Sequence, residues 1–138
     1  MSVIITDEGF GPEHWEHGFF TLDELPANHP PALAVDLPSD VAVEYLPQLL
    51  SNVDLVRIDF PSFADGRGFT LARRLRDLGF VGRLRARGHV ISDQYAMARR
   101  SGFDEVEIDD DLAARQSEGE WKARANWQDN NYQSRLRG

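Results

Sequence analysis

A short glycine-rich stretch offers the clearest candidate for chemistry. Asp65-Gly66-Arg67-Gly68 follows an apolar run that ends at Phe60. Two glycines would let backbone N–H groups approach an anion closely, and an arginine could clamp it with paired donors. Asp65 could cap the following helix or orient Arg67. The spacing matches neither the dinucleotide-binding nor the P-loop pattern. Both an anion-binding loop and a plain turn with a solvated Arg67 remain open.

A second candidate region is "RARGHVISDQ", which follows the next apolar run. Arg85 and Gly88 lead into Asp93 and Gln94 at a predicted helix start. Ligands of parallel α/β sheets bind beyond the carboxyl ends of the strands, where helix N-termini present free N–H groups. We therefore expect this region to adjoin the glycine-rich stretch at one edge of the sheet.

Three further groups could do chemistry by residue type. His89 and Asp93 could form an acid–base pair, although a loop histidine is more often structural. Ser101 lacks the sequence of a nucleophile elbow and more simply ends a helix. His14 and His17 could contact a metal, but no clear third ligand accompanies them, so we predict no metal site.

Composition limits the class of protein. The 138 residues are 41% hydrophobic and contain no cysteine, which fits one domain over 1–138 without disulfide or thiolate chemistry. A redox role would need a bound cofactor, whose identity the sequence leaves unknown, or a partner. No apolar run is long enough for a membrane helix, and the start lacks signal-peptide features. We expect a soluble, cytoplasmic protein with no membrane contact.

Charge is distributed unevenly along the chain. The formal net charge of -8 argues against nucleic-acid binding. Between positions 65 and 103, however, the sequence contains nine arginines and only three acidic residues. Arginine suits planar contacts with carboxylates and oxyanions. These arginines either pair with acids of the flanking segments or bind an external anion.

The hydrophobic pattern predicts an α/β fold with about four consecutive β-α units and a parallel sheet. One alternating set of strand residues is apolar and the opposite set is charged, so helices should cover mainly one face, as in a half-barrel. Cross-strand ion pairs must satisfy the charged face, with Asp59 and Arg85 the first pair expected. The predicted strands are 32–37, 54–60, 83–87 and 105–108, and the predicted helices are 39–51, 67–78, 91–101 and 110–128.

Segments outside the 32–109 core have their own character. Residues 1–31 predict an irregular N-terminal arm, with a short hairpin that uses "VIIT" and "GFFTL". Residues 110–138 predict an acidic, helical C-terminal segment. Its Trp121, Trp127 and Tyr132 either dock back onto the domain or form a partner surface.

The stretches "FPSFADGRGFTLARRLRDLGFVGRLRARGHVISDQ" and "RRSGFDEVEI" resemble the bacterial domain-of-unknown-function 934 family. The similarity covers about residues 55 to 108, and "YQ" at 132–133 also fits. The resemblance implies an oxidoreductase-type or accessory role in sulfite reduction. The matching positions are Phe60, Pro61, Asp65, Gly66, Arg67, Gly68, Ala72, Arg73, Leu75, Arg76, Arg85, Gly88, Asp93 and Gln94.

Two functional hypotheses follow. In the first, the protein binds an oxyanion or an anionic cofactor of sulfite reduction, which Arg67 and Arg85 neutralise. The backbone approaches the anion closely at three glycines, Gly66, Gly68 and Gly88. The binding groups are oriented by Asp65, Asp93 and Gln94. In the second, the chain is a non-enzymatic module that docks onto a sulfur-assimilation enzyme. We also expect a homodimer, because a one-sided sheet leaves surfaces that a two-fold interface with one of the tryptophans would cover.

Overall fold

The computed structural model describes residues 2–25 and 32–128. Its centre is a six-stranded mixed sheet in the order β2-β1-β6-β5-β4-β3. The strands are β1 (Ser2–Thr6), β2 (Gly9–Gly11), β3 (Ala34–Leu37), β4 (Leu55–Phe60), β5 (Arg83–Gly88) and β6 (Glu105–Asp109). The protein is therefore of the α/β class, and all four predicted core strands are present.

Strand directions correct part of the sequence prediction. Strands β3 to β6 pair in parallel, but β1 pairs antiparallel with β6 and with β2. The sheet is thus mixed, whereas the sequence predicted a parallel one. The first segment extends it because Ile4 and Ile5 are both buried against neighbouring strands.

The N-terminal hairpin also differs from the predicted one. The strand Ser2–Thr6 turns back at once and pairs with Gly9–Gly11, not with "GFFTL". Phe20, which belongs to that second run, instead forms a parallel bridge to Val35 at the other edge of the sheet. The chain from 12 to 19, which we call the strap, therefore crosses one face of the sheet, from the edge at β2 to the opposite edge at β3.

Helices are shorter than the hydrophobic pattern predicted. They are α1 (Arg67–Asp77), α2 (Tyr95–Ser101), α3 (Asp110–Arg115) and α4 (Glu118–Lys122), with 3-10 turns at Leu22–Glu24, Val43–Leu49 and Ser92–Gln94. Pro47 lies inside the predicted first helix and lacks the N–H that an α-helix needs, so this segment is a 3-10 turn. Asp109 caps α3 by accepting from the Leu112 N–H at 2.8 Å.

The two faces of the sheet differ as the alternation predicted. One face carries Val35, Ile58 and Ala86, which share a single buried core with Leu71 of α1 and Ala98 of α2. The other face carries the charged set and faces the strap. Its members are Asp36, Arg57, Asp59, Arg83, Arg85, Arg87, Glu105 and Glu107. Within the described residues, no helix has the length and apolar character that crossing a membrane requires.

Candidate functional site

Arg85 lies at the centre of the charged face and is completely buried. Its Nε donates to Glu105 Oε2 at 2.5 Å, and its Nη1 donates to Glu107 Oε1 at 2.8 Å. The strap adds Glu13, whose two carboxylate oxygens accept from Nη1 and Nη2 of the same guanidinium. Three carboxylates therefore enclose one cation, which satisfies its buried charge.

Arg57 extends this network towards the edge of the sheet. Its Nε and Nη2 donate to the two oxygens of Asp36 at 2.6 and 2.8 Å, and its Nη1 donates to Glu107 at 3.1 Å. Burial would raise the pKa of Glu107, but Arg57 and Arg85 lower it below its usual value. The Phe19 ring covers the guanidinium of Arg57, with 3.5 Å between Cζ and the ring centroid.

The expected ion pair between Asp59 and Arg85 does not form. In the parallel register of β4 and β5, Arg57 lies opposite Arg85 and Asp59 lies opposite Arg87. Asp59 consequently approaches Arg87, at 4.0 Å, while Arg85 turns to the acids of β6. The predicted cross-strand network exists, but its pairs are set by a register that the sequence does not reveal.

Within the glycine-rich stretch, Asp65 and Arg67 form a local ion pair. Arg67 donates to Asp65 through Nε at 3.0 Å and Nη2 at 2.8 Å, and the Arg67 backbone N–H donates to the same carboxylate at 3.1 Å. Ser39 adds a hydroxyl donor to Asp65 at 2.9 Å. These bonds, those of Arg67 first, lower the pKa of Asp65 well below its usual value. Asp65 thus orients Arg67, whose side chain remains 60% exposed.

Two glycines of the predicted site have a packing role against Phe60. A Cβ atom at Gly68 would lie 2.5 Å from Phe60 Cζ, so only glycine lets α1 approach β4 this closely. Gly88 has φ of 113°, and its Cβ would lie 2.8 Å from the carbonyl oxygen of Phe60. Packing accounts for both residues without a ligand.

Replacing Gly68 with alanine is expected to lower the free energy of unfolding by about 1–3 kcal/mol, because the added methyl overpacks the Phe60 ring. Urea denaturation measures the change. Gly66→Ala is the matched control, since its Cβ would meet no atom closer than 4.0 Å, and it should cost less than about 1 kcal/mol. Equal losses for the two variants would contradict this explanation of Gly68.

Asp93 and Gln94 bind neighbouring chain segments. Gln94 accepts from the Ile91 N–H at 3.0 Å and donates to the Phe63 carbonyl at 2.9 Å, which ties two loops together. Asp93 pairs with Arg124 at 2.6 Å on the exposed surface. The eight predicted site residues therefore do not converge on one point, since Arg85 lies beneath the strap.

His89, Asp93 and Ser101, which could do chemistry by residue type, make other contacts in the structure. His89 Nδ1 lies 3.3 Å from the Phe60 carbonyl oxygen, while Asp93 is paired with Arg124, so no His89–Asp93 pair is present. The Ser101 hydroxyl is buried and donates to the Met97 carbonyl at 2.8 Å. Over residues 2–25 and 32–128, no three histidine, aspartate or glutamate side chains are grouped to hold a metal.

A cleft of about 730 Å³ opens on the charged face near β3 and β4. Arg57 and Arg87 contribute cationic groups to it, and Leu22, Val41 and Tyr45 contribute apolar surface. This cleft was not predictable from the sequence, because its walls come from segments far apart in the chain. The bridge from Phe20 to Val35, which brings the arm here, has no recognisable signature in the sequence.

The C-terminal tryptophans dock onto the domain. Trp121 is 1% exposed and packs edge-to-face on Tyr95, with ring centroids 6.2 Å apart. Trp127 is partly buried, and its indole N–H donates to Asp7. Trp121 is thus part of the core of one chain and is not available for a dimer interface. Tyr132 lies outside the described residues, and the homodimer remains a prediction.

Comparison with known proteins confirms the family resemblance. The family model described as a bacterial protein of unknown function, DUF934, matches residues 34–138. The chain belongs to this family. No curated protein and no solved structure gave a significant match. The match begins at β3 and so contains the charged strand residues and the glycine-rich stretch, whereas the strap precedes it.

Proposed function

We propose that the protein is an accessory protein of bacterial sulfite reduction that docks onto a larger sulfur-assimilation enzyme. The pathway rests on the role in sulfite reduction that the family resemblance implies. The mode of action rests on one observation above all: the two arginines best suited to an oxyanion, Arg67 and Arg85, are both neutralised by the chain's own carboxylates.

Exposed apolar side chains support a docking role. Tyr45 is 52% exposed beside the cleft, and Val81 and Met97 are 92% and 54% exposed elsewhere on the surface. Contiguous apolar surface with a polar rim is typical of protein–protein contacts, and Leu22, Val41 and Tyr45 line the same cleft. Single exposed side chains such as Val81 and Met97 are ordinary and add little to this argument. A partner enzyme would supply the electron carrier that redox chemistry needs.

A second candidate function is oxyanion binding at Arg67. Its side chain is 60% exposed, whereas the Ser39 hydroxyl beside it already donates to Asp65 and accepts from Arg67 Nη2. A bound oxyanion would have to compete with Asp65, which already accepts three bonds from Arg67. For this reason we rank docking first.

Deleting the gene is expected to abolish growth on sulfate as sole sulfur source while leaving growth on cysteine intact. A plasmid copy of the wild-type gene should restore growth, and so should Arg67→Ala, because docking does not use that guanidinium. The tagged protein should also co-purify with an enzyme of sulfur assimilation from sulfate-grown cells. Unchanged growth of the deletion strain on sulfate would contradict the pathway, and failure of Arg67→Ala to restore it would favour oxyanion binding.

A further inference from the structure

The strap is anchored at both ends but only lightly along its length. Before it, β2 is paired with β1, and after it Phe20 is bonded to β3 through its backbone. Between these anchors the chain forms no helix or strand. For the strap to lift from the sheet while its ends stay in place, only side-chain contacts of the described residues would have to break.

Two side chains attach the strap to the charged face. Glu13 binds Arg85 through both carboxylate oxygens and is itself held by the Trp15 backbone N–H at 2.9 Å. Phe19 lies over Arg57 and, with 5.8 Å between the ring centroid and Cζ, near Arg85. Trp15 bonds within the strap, since its indole N–H donates to the Gly18 carbonyl at 2.7 Å. In the described part of the chain, the polar and cation–π contacts between the strap and the charged face thus come from one carboxylate and one aromatic ring.

The charge on the sheet is balanced before the strap is added. Strands β3 to β6 place four acids and four arginines on this face. Glu13 adds a fifth carboxylate to this face. It contacts Arg85, which already has Glu105 and Glu107 as partners. Lifting Glu13 away leaves Arg85 paired with Glu105 and Glu107 through Nε and Nη1, but its Nη2 then has no acceptor among the described residues. Another carboxylate can take that place, whereas Glu105 and Glu107 are fixed on β6.

We infer that Glu13 and Phe19 occupy a recognition site for an acidic segment of a partner protein, which places a carboxylate on Arg85 and an aromatic ring on Arg57. This inference rests on the proposed docking function and identifies the chemistry of the partner. A cavity of about 370 Å³ beside Glu13, lined also by His14 and Arg83, gives such a segment room to enter.

A free carboxylate is a poorer ligand for this site than a peptide segment. Glu13 is tethered, so its effective concentration at Arg85 is on the order of millimolar or higher. A single small carboxylate gains only one charged contact and must compete with that tether. A segment that also replaces the contact of Phe19 gains two contacts together, with the second nearly intramolecular.

Limited proteolysis tests whether the strap lifts. Chymotrypsin should cut after Trp15 roughly tenfold faster in Glu13→Gln than in wild type, because cleavage follows the population of the open form. Phe19→Ala should also raise the rate of cleavage after Trp15. Glu16→Gln removes an exposed charge from the same strap and should leave the rate unchanged. Equal rates for Glu13→Gln and wild type would overturn the inference.

Peptide binding tests what the uncovered site takes. The probe is the acetylated and amidated peptide PEHWEHGFF, which repeats residues 12–20, and the protein is the full chain with Glu13→Gln and Phe19→Ala. We expect calorimetry to show that the peptide binds this variant and that it binds the wild-type protein at least tenfold more weakly. A second peptide, with glutamine in place of its first glutamate, should bind the variant at least tenfold more weakly than the original peptide does.

Two results would overturn the inference. Equal binding of the two peptides would show that Arg85 does not recognise the carboxylate. Binding of sodium acetate as tight as that of the peptide would assign the site to free carboxylates, not to a partner segment. Both assays use the isolated chain, so their failure is distinguishable from failure of the growth test.

Discussion

Replacing Arg85 with methionine is expected to lower the free energy of unfolding by about 3–5 kcal/mol, the largest loss we predict for a single charged residue. Methionine keeps most of the side-chain length but leaves Glu105 and Glu107, both nearly buried, without their shared cation. Glu105 would keep Arg83 and Glu107 would keep Arg57, but the cation that lies between these two like charges on β6 would be gone. Urea denaturation at neutral pH measures the loss.

Arg124→Met is the matched control for this substitution. Arg124 also pairs with an acid, Asp93, but both side chains are at least half exposed. An exposed pair of this kind contributes about 0–1 kcal/mol. Comparable losses for Arg85→Met and Arg124→Met would mean that the charged face is solvated and not a closed network.

Replacing Trp121 with alanine is expected to cost about 3–5 kcal/mol, because it leaves a large cavity against Tyr95. The indole is almost fully buried, and its loss should release the C-terminal segment from the domain. Urea denaturation gives the change in stability, and near-ultraviolet circular dichroism reports the changed aromatic packing.

Trp121→Phe separates the contribution of volume from that of the polar atom. The indole Nε1 is buried and has no hydrogen-bond partner in the described part of the chain. Phenylalanine removes this unsatisfied donor and fills most of the space, so it should cost less than half as much as alanine. If the alanine variant kept wild-type stability, the proposed docking of the C-terminal segment would be wrong.

The apolar half of the fold was predictable from local pattern. Val56, Ile58 and Phe60 alternate with Arg57 and Asp59, and this period of two predicts both a strand and its two unlike faces. Of the two antiparallel strands, β1 was predicted from "VIIT", but β2 was not predictable in the same way. The strand Gly9–Gly11 has three residues with two glycines, which carry no alternation, and it exists only because its neighbour is already in the sheet.

The candidate site was predictable only where contacts are local. Asp65 and Arg67 are two positions apart, so their ion pair follows from the sequence around a helix start. The burial of Arg85 depends on Glu13, 72 positions away, and no local pattern encodes that contact. The cleft likewise depends on where distant segments return to the sheet.

Calorimetric titration of sulfite, sulfate and an adenylated sulfate nucleotide into the wild-type protein tests the docking account most directly. Because Arg67 and Arg85 are already neutralised, we expect no saturable binding at millimolar concentrations. Arg74→Ala, on the exposed side of the same helix as Arg67, serves as the control variant. Binding with a Kd below about 1 mM that survives in Arg74→Ala and disappears in Arg67→Ala would contradict the account.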